Sequence, residues 1–537
     1  MSIWVPIFNL CTGGGFASGT IDLGGLIVKE VTTFNKVWAT YEGGPEDAGA
    51  TFFEPTEVPD GFFILGYYAQ PNNRPLYGRV LVGKDGTNEA QPALHSPIDY
   101  ALVWSSNSLR VKEDAPGYIW APIPRSGYAA VGLVVTTTPD KPPLKKVRCV
   151  RADLTTRCEP EEWIWGREAG QDVDEFNIFE TRAGEKAKQG IQVSAGTFMA
   201  RSGGGTTGDL PLLACLKNVK RNYSSMPNME QLDMIIKTYA PKIYSHPDEK
   251  YLPASVNWFF ENGAQLYKKG QESNPVKIEP NGANLPQGGS NDAEYWIDLP
   301  KDKQAREHAE RGDIPSASAY FHIKPMHGGT YTDLAIWLFF PFNGGGFLRI
   351  GSLTIPLGQL GEHVADWEHI TLRVSNFNGM LRKVFFSQHA AGEWIHAPEL
   401  EFVDGNRFAG YSSLHGHACF YKPGQISHGN SDFIGISNDM ERSDKIFDTA
   451  KGYEIISADY LENHKEPPWL NFARPWGPKI TYDITKEVDK VADSLPGKLR
   501  KGVHNFIHSL PAELLGERGP TGPKFKWNWD GDEIKCC

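Results

Sequence analysis

Two carboxylates placed two residues apart in an apolar strand pattern are the part of this sequence best suited to chemistry. In the segment GEHVADWEHITLRV (361–374), Asp366 and Glu368 share the strand face of Ile370 and Leu372. A carboxylate in an apolar layer is unfavourable unless it is paired, hydrogen-bonded or bound to a metal. Side chains at alternate strand positions start about 6.5 to 7 Å apart, so both can reach one cation. The pattern therefore predicts a divalent cation between the two acids.

A histidine precedes this pair and is the next candidate ligand. His363 lies three residues before Asp366, so it reaches the same face only if the chain bulges at Val364 and Ala365. This oxygen-rich donor set suits Ca²⁺ or Mg²⁺, with Mn²⁺ as a further option, better than structural zinc. Two alternatives stay open: the acids are satisfied by hydrogen bonds or solvent, or an ion only neutralises them.

Two further histidines end extended segments elsewhere in the same half of the chain. His389 closes Ser-Gln-His, and His417 lies in Leu-His-Gly-His-Ala. Each is predicted to contact the ligand or to orient the metal ligands. Common nucleophile, zinc-protease and dinucleotide motifs are missing from the sequence, so no catalytic residue is assigned.

The elements that must position these residues form the C-terminal part, residues 211–537. Strand patterns run from residue 320 to about 460, and helical patterns cover 228–240, 255–267 and 302–311, with Ser255 as an N-cap. Residues 484–515 are typical of a helical hairpin broken at Pro496-Gly497. We predict a β-sandwich decorated with helices.

The N-terminal part, residues 1–201, contains an internal repeat. Trp38 recurs 66 residues later as Trp104, and Gly66 recurs as Gly132, with Pro and Gly turns at matching places. A shorter third copy runs from 176 to 196. Short strands without helical periodicity predict a pseudo-symmetric β-domain, prism- or barrel-like, that is mainly β. The shared spacing either preserves packing or serves recognition of a partner, and the Gly-rich residues 202–210 are a linker by composition.

Composition limits the classes of function. The 537 residues carry a net charge of −11, which argues against nucleic acid as a partner. Seven scattered cysteines favour a reducing compartment. The N-terminus has no secretory signal pattern, and the longest apolar run, 334–342, is about half the length of a membrane span. We expect a soluble cytoplasmic protein without a transmembrane segment, with peripheral attachment to membranes as an option.

The metal-ligand segment resembles a known family. His363-Val-Ala-Asp-Trp-Glu-His369 is similar to the Gly-His-Arg-His-Asp-Trp-Glu region of the necrosis-inducing, cytolysin-like proteins. The resemblance implies a β-sandwich in which His363, Asp366 and Glu368 hold a divalent cation. It also implies a fourth ligand after an apolar strand, where this chain has Asn343 in place of aspartate. Val364 and Ala365 replace an arginine and a histidine of that motif, which speaks against cytolytic activity.

A second resemblance covers nearly the whole chain. Segments such as Pro59-Asp-Gly-Phe-Phe-Ile-Leu-Gly66, Asn257-Trp-Phe-Phe260 and Gly519-Pro-Thr-Gly-Pro523 look like the plant family of unknown function related to vacuolar protein sorting protein sixty-two. The aromatic and proline pattern of the repeat is similar to adaptor-binding repeats of vacuolar-sorting lipid-transfer proteins, which implies recognition by the N-terminal part.

These observations predict a recognition protein. Its divalent-cation site would bind a lipid headgroup, a glycan or a protein at a membrane surface, in membrane trafficking. The alternative is a metal-dependent enzyme acting on a small molecule or lipid, with His389 or His417 moving a proton.

Overall fold

The structure is a computed structural model that describes residues 14–87, 91–108, 111–166, 176–183, 191–202, 212–220, 223–290, 292–389, 391–431, 434–480, 483–493, 495–508 and 519–533. The chain divides into two compact units. The first comprises Met1–Asn228, Pro325–Thr332 and Val374–Met380, and the second comprises Met229–Lys324, Asp333–Arg373 and Leu381–Cys537. Apart from Ser202, the predicted linker lies outside the described residues, so that boundary stays a prediction.

Short strands make up the first unit, as the Pro and Gly punctuation predicts. They are β1 (Ile21–Asp22), β2 (Leu26–Val31), β3 (Phe34–Thr40), β4 (Ala50–Pro55), β5 (Phe63–Ile64), β6 (Tyr68–Pro71), β7 (Val80–Asp85), β8 (Leu94–His95), β9 (Asp99–Ser105), β10 (Tyr118–Ile123), β11 (Tyr128–Ala129), β12 (Val134–Thr136), β13 (Cys149–Arg151), β14 (Thr155–Trp165), β15 (Phe176–Ala183), β16 (Gln192–Val193), β17 (Phe198–Ser202) and β18 (Ala214–Lys217).

The internal repeat appears as three equivalent strand groups. Antiparallel neighbours follow the orders β3-β4-β6, β12-β10-β9 and β14-β15-β17. The third copy therefore begins at β14, about twenty residues before the position expected from the sequence. Its Trp165 is the counterpart of Trp38 and Trp104. The register of β14 against β15 is irregular on both sides of Trp163, so the third copy does not keep the residue spacing of the other two.

The repeated residues pack against one another in the core of the first unit. The indole rings of Trp38, Trp104 and Trp165 lie 5.3 to 5.7 Å apart. A Cβ at Gly66 would come within 2.6 Å of the Cα of Gly132, so neither position accepts a side chain. The shared spacing is thus explained by packing around a pseudo-threefold arrangement.

The remaining strands carry the candidate site. They are β19 (Lys242–Ser245), β20 (Gln265–Lys268), β21 (Val276–Lys277), β22 (Tyr295–Asp298), β23 (Ala319–Met326), β24 (Tyr331–Asn343), β25 (Phe347–Ile350), β26 (Leu353–Pro356), β27 (His363–Ser375), β28 (Leu381–Gln388), β29 (Ala391–His396), β30 (Phe402–Asp404), β31 (Arg407–Ser412), β32 (Cys419–Phe420), β33 (Gly424–Ser431), β34 (Ile434–Met440), β35 (Ile446–Asp448) and β36 (Tyr453–Ser457).

The α-helices of the described residues match the predicted positions with one exception, and residues 509–515 of the predicted hairpin lie outside the described part of the chain. They are α1 (Met229–Tyr239), α2 (Val256–Glu261), α3 (Lys303–Glu310), α4 (Ile484–Asp493) and α5 (Gly497–His508). The prediction of helix up to residue 267 is wrong, because α2 ends at Glu261 and residues 265–268 form β20. Gly263, at φ 107°, lies in the turn between them, and a Cβ there would collide with Pro300.

A β-sandwich forms the core of the second unit, which confirms the predicted fold class. The six-stranded sheet has the order β29-β28-β27-β24-β23-β36, and a second sheet has the order β30-β31-β19-β35. Gly410 of β31 lies against Ile370 of β27 and Phe386 of β28, and Phe386 also contacts Phe408. The face of β27 that carries Asp366 and Glu368 therefore points into the sandwich.

The opposite face of β27 is also buried. Near its start, Trp367 packs among the rings of Phe339, Trp469 and Trp476. Farther along, the C-terminal segment 519–533 covers the strand. Its residue Glu533 accepts a hydrogen bond from Thr371 at 2.7 Å. Since both faces are covered, β27 is a central strand without a solvent-facing side.

The Ser255 cap of α2 gives a first testable prediction. The Ser255 hydroxyl accepts a hydrogen bond from the backbone N–H of Trp258 at 3.0 Å, as the sequence predicts. Ser255→Ala should lower the free energy of unfolding by about 1 kcal/mol, because one helix donor loses its partner. Urea unfolding measures the difference. The exposed Ser273→Ala should leave stability unchanged; a Ser255→Ala variant as stable as that control would contradict the capping role.

Glu533 gives a prediction on pH. Burial alone would raise its pKa, but Lys324, His369 and Asn528 outweigh this and lower the pKa from 4.5 to about 2. Because its pKa is lower in the folded state, ionised Glu533 stabilises the fold at pH values above its unfolded-state pKa of 4.5. This contribution is lost as the pH falls from 4.5 towards 2. Glu533→Gln should thus cost roughly 3 kcal/mol of unfolding free energy near neutral pH and much less at about pH 3. Unfolding curves at both pH values test this, and a pH-independent difference would contradict it.

No helix in the described part of the chain is long and apolar enough to cross a membrane.

Candidate metal centre

The two predicted carboxylates lie inside the sandwich, and each has a neighbouring side chain within hydrogen-bond distance. Asp366 Oδ2 is 2.9 Å from His417 Nδ1, and the Ser387 hydroxyl donates to Glu368 Oε2. Only 8% of Asp366 and 6% of Glu368 is exposed. Burial pushes the pKa of Asp366 upward, but the hydrogen bond from His417 and the charges of nearby basic groups, among them Lys526, outweigh it and lower the pKa. Asp366 is therefore held as a carboxylate.

A residue in the left-handed backbone conformation brings His363 to the side of the strand that carries Asp366 and Glu368. Ala365 has φ 58°, which interrupts the regular alternation of β27 between His363 and Asp366. The predicted irregularity at Val364–Ala365 is therefore present. The Nδ1–H of His363 donates to the Ala365 carbonyl at 2.7 Å, so the lone pair of this neutral ring is on Nε2. Burial lowers the pKa of His363, which favours the neutral form that binds metals.

Asn343 ends the neighbouring strand β24. Its amide Nδ2 donates to the carbonyls of Gly344 at 3.0 Å and Gly361 at 2.7 Å. These two bonds orient the side chain and leave Oδ1 as the acceptor end of the amide. Asn343 is thus held in place by backbone on both sides, as a metal ligand requires.

These residues line one cavity of about 130 Å³. Polar side chains come from β24, β27, β34, the turn after β28 and the C-terminal segment: Asn343, His363, Asp366, Glu368, His389, Ser437, Asn438 and Lys526. Apolar side chains include Phe347, Leu357, Leu360, Ile436 and Ile507. The cavity therefore gathers the four predicted metal ligands and one of the two additional histidines.

His417 lies behind Asp366 and is not among the residues that line the cavity. It is fully buried and stacks on Phe340 at 3.9 Å. Its Nδ1 faces Asp366, and its Nε2 lies 3.1 Å from the carbonyl of Tyr251. His417 thus orients Asp366, which is one of the two roles predicted for it.

His389 does line the cavity. Its Nε2 lies 3.1 Å from Asn438 Oδ1, which favours an N–H on that nitrogen. Burial lowers the pKa of His389, so the ring is held neutral. Like Ala365 and His417, His389 has a positive φ, of 59°. Left-handed non-glycine residues store backbone strain and often cluster at functional sites.

The fit of a divalent ion rests on this donor set. Among the described residues, no three His, Cys, Asp or Glu side chains already surround one point closely enough to form a metal centre. The donors that line the cavity are nevertheless those of a hard cation, namely two carboxylates, an amide oxygen and a neutral imidazole. They fit Ca²⁺, Mg²⁺ or Mn²⁺ once the carboxylates turn towards a common ion.

Sequence reasoning missed most of the cavity wall, including the polar residues Asn438 and Lys526. Asn438 lies on β34, and Lys526 belongs to the C-terminal segment. Neither is near the ligands in the sequence, and neither lies in a motif. Only the tertiary fold brings them to the site.

Comparisons with known proteins place the chain in a family. A profile described as vacuolar protein sorting-associated protein 62 matches residues 1–533. The vacuolar protein sorting-associated protein TDA6 of Saccharomyces cerevisiae is 22% identical over 327 residues, which is 50% of this chain and 65% of the yeast protein. The match thus spans less than two thirds of that relative.

Several solved structures show partial similarity to this chain. GNIP1Aa from Chromobacterium piscinae has a TM-score of 0.29 at 17% identity over 40% of each chain. Necrosis and Ethylene inducing Protein 2 from the causal agent of cocoa's Witches Broom disease has a TM-score of 0.19 at 16% identity, covering 34% of this chain and 76% of that chain. NLPPya in complex with glucosamine has a TM-score of 0.20 at 12% identity, covering 35% and 66%. These similarities are too distant to transfer a site or a ligand.

Proposed function

Because the chain belongs to the vacuolar protein sorting-associated protein 62 family, we propose that it is a recognition protein of membrane trafficking that acts through a divalent-cation site. The family assignment confirms the one made from the sequence. In this proposal Asp366, Glu368, His363 and Asn343 hold the ion. The bound ion then takes up a lipid headgroup, a glycan or a protein group at a membrane surface.

The observation that carries the proposal is the left-handed Ala365 within β27. A regular strand would direct His363 to the face opposite Asp366. With φ 58° at Ala365, His363 lines the same cavity as Asp366 and Glu368. Strain of this kind persists when the surrounding structure holds it, and it is common at ligand sites. The strand is thus irregular at the residue that directs the His363 imidazole towards the proposed ion.

The enzyme alternative has less support from the geometry. A proton-transferring histidine needs a ring nitrogen that reaches the substrate. Both nitrogens of His417 already face protein oxygens, and the ring does not line the cavity. His389 lines the cavity, but its Nε2 is directed at Asn438. We therefore propose recognition by a bound ion, with His417 as a positioning residue.

Metal titration of the purified full chain tests the proposal. After treatment with chelator, the protein should take up one equivalent of Ca²⁺, Mg²⁺ or Mn²⁺, measured by elemental analysis after dialysis. Its melting temperature should rise with the ion and fall again with chelator, because an ion that binds only the folded state stabilises it. A chain that takes up no divalent ion, or whose melting temperature does not respond, would contradict the proposal.

A further inference from the structure

Two cysteines that are distant in the sequence meet in the first unit. Cys158 lies on β14 and Cys215 on β18, and their Sγ atoms are 2.8 Å apart. Both side chains are buried, with 8% of Cys158 and 1% of Cys215 exposed. The sequence contains only scattered cysteines without a Cys-x-x-Cys pair, so this pairing arises from the tertiary fold.

The strand register explains how the two thiols meet. β14 and β18 are antiparallel, and Thr156 lies directly opposite Cys215. Cys158 is two residues beyond Thr156, so it projects from the same face of the sheet as a diagonal neighbour of Cys215. A disulfide bond is about 2.05 Å long, so the two sulfur atoms need to approach by less than about 1 Å to form one. The fold therefore holds the two thiols in position to react with each other.

Packing in the core does not account for this pair. A buried free cysteine usually behaves as a small apolar side chain within a core. Cys149 of the same unit does so, because it belongs to the large core that contains Trp38 and Trp165. Cys158 and Cys215 instead form a cluster of their own, separate from that core. The contact between the two sulfur atoms is thus the main feature of their surroundings.

The pair lies at a junction in the sheet. The five strands have the order β16-β18-β14-β15-β17. β14 pairs with β18 through three residues, 155–157, and with β15 from Cys158 onwards. Within the described residues, the pairing between the two halves of this sheet therefore runs through a short stretch of β14. A covalent bond between Cys158 and Cys215 would join the two halves at that point.

We propose that Cys158 and Cys215 form a site of reversible oxidation, at which a low-molecular-weight disulfide such as glutathione disulfide converts the two thiols into a disulfide bond. One protein thiolate attacks glutathione disulfide, whose S–S bond breaks and releases one glutathione. The second protein sulfur then attacks the mixed disulfide and releases the other glutathione. The two protein thiols thus lose two electrons and two protons, which the two glutathione thiols take up. This inference does not depend on the metal site.

The surroundings of Cys215 set the speed of the reaction. Its hydrogen bond with Cys158, together with burial, raises the pKa of Cys215 well above the usual value. Little of it is therefore thiolate at neutral pH, and the thiolate is the reactive form. Oxidation should be slower than that of an exposed cysteine and should accelerate as the pH rises.

Peptide mapping of the intact chain tests the proposal. The full chain is purified with reductant, freed of it, incubated with excess glutathione disulfide, alkylated and digested with trypsin without reduction. Trypsin cuts after arginine and lysine, which places Cys158 in peptide 158–167 and Cys215 in peptide 202–217. We expect mass spectrometry to find these two peptides as one linked species that dithiothreitol separates.

Thermal unfolding shows whether the bond holds the sheet together. The disulfide closes a long loop and so restricts the unfolded chain, and the oxidised protein should melt roughly 5 to 10 °C above the reduced protein. Cys158→Ala should give neither the linked peptides nor the shift. Cys149→Ala removes another buried thiol of the same unit and is the matched control, which should keep both. Each variant is compared with its own reduced form, so a general loss of stability does not affect the result.

Two outcomes would overturn the inference. In the first, peptides 158–167 and 202–217 of the wild type stay separate and alkylated after incubation with glutathione disulfide, because the two thiols then only pack together. In the second, Cys158→Ala shows the same melting shift as the wild type, because the shift would then come from a different cysteine.

Discussion

Asp366→Asn is expected to abolish the stabilisation of this protein by divalent ions. The substitution keeps the size of the side chain but removes the charge that the ion needs, and an amide oxygen is a much weaker ligand. At an ion concentration about a hundred times the dissociation constant, the wild type should gain about 2.7 kcal/mol of unfolding free energy. The variant should gain nothing measurable. Thermal unfolding with chelator and with added ion shows the difference.

The apo forms make this comparison informative. Without metal, Asp366→Asn weakens the hydrogen bond with His417 but also relieves repulsion from Glu368. Its melting temperature in chelator should therefore lie close to that of the wild type. Asp439→Asn is the matched control, because Asp439 lies on β34 but is not among the residues that line the cavity. An Asp366→Asn variant that still binds one equivalent of ion would show that the acids are not the ligands.

Local rules predicted the central part of the site from the sequence. Period-two alternation placed Asp366 and Glu368 on the inward face of β27, and their contacts with His417 and Ser387 agree with this. The need to bring His363 to that face predicted an irregularity at Val364–Ala365, which the left-handed Ala365 provides. Both inferences depend on neighbouring residues only. That is why they could be made without knowledge of the fold.

The rest of the site depends on contacts that are distant in the sequence. Asn438 reaches the cavity because β34 pairs with β25, which follows the apolar strand β24. Lys526 arrives with the C-terminal segment, which has no periodicity of its own. Neither residue type is unusual, and no spacing links them to the ligands. Only a tertiary structure could assign them.

The same segment also supplies the partners of the other face of β27. Trp367, His369, Thr371 and Arg373 share that face, and neighbouring residues in the sequence do not show which groups would satisfy their hydrogen bonds. In the structure that face is buried, and Asp532, Glu533 and Asn528 satisfy it. The acidic residues near the C-terminus are thus structural partners of β27, separated from it by about 160 residues.

Arg373→Met is expected to cause the largest loss of stability. The guanidinium group is buried and donates to both oxygens of Asp333, at 2.8 and 2.6 Å, and also to Asp532. Burial alone would lower the pKa of Arg373, but the two carboxylates outweigh it and raise the pKa, so the group stays charged. Burial also raises the pKa of Asp333, although the charge and hydrogen bonds of Arg373 act in the opposite direction. Removal of one member of a buried ion pair costs about 3 to 5 kcal/mol.

The surroundings of Arg373 allow the loss of its charge to be separated from the loss of its packing contacts. Arg373 also lies 4.4 Å from the ring centroid of Trp394, so methionine preserves part of the apolar contact and isolates the loss of charge. Calorimetric or urea unfolding near neutral pH should show the full decrease for Arg373→Met. The double variant Arg373→Met, Asp333→Leu should recover much of it, because apolar residues of similar volume replace a buried ion pair at little cost. If the double variant is no more stable than Arg373→Met, the unpaired carboxylate of Asp333 is not the source of the loss.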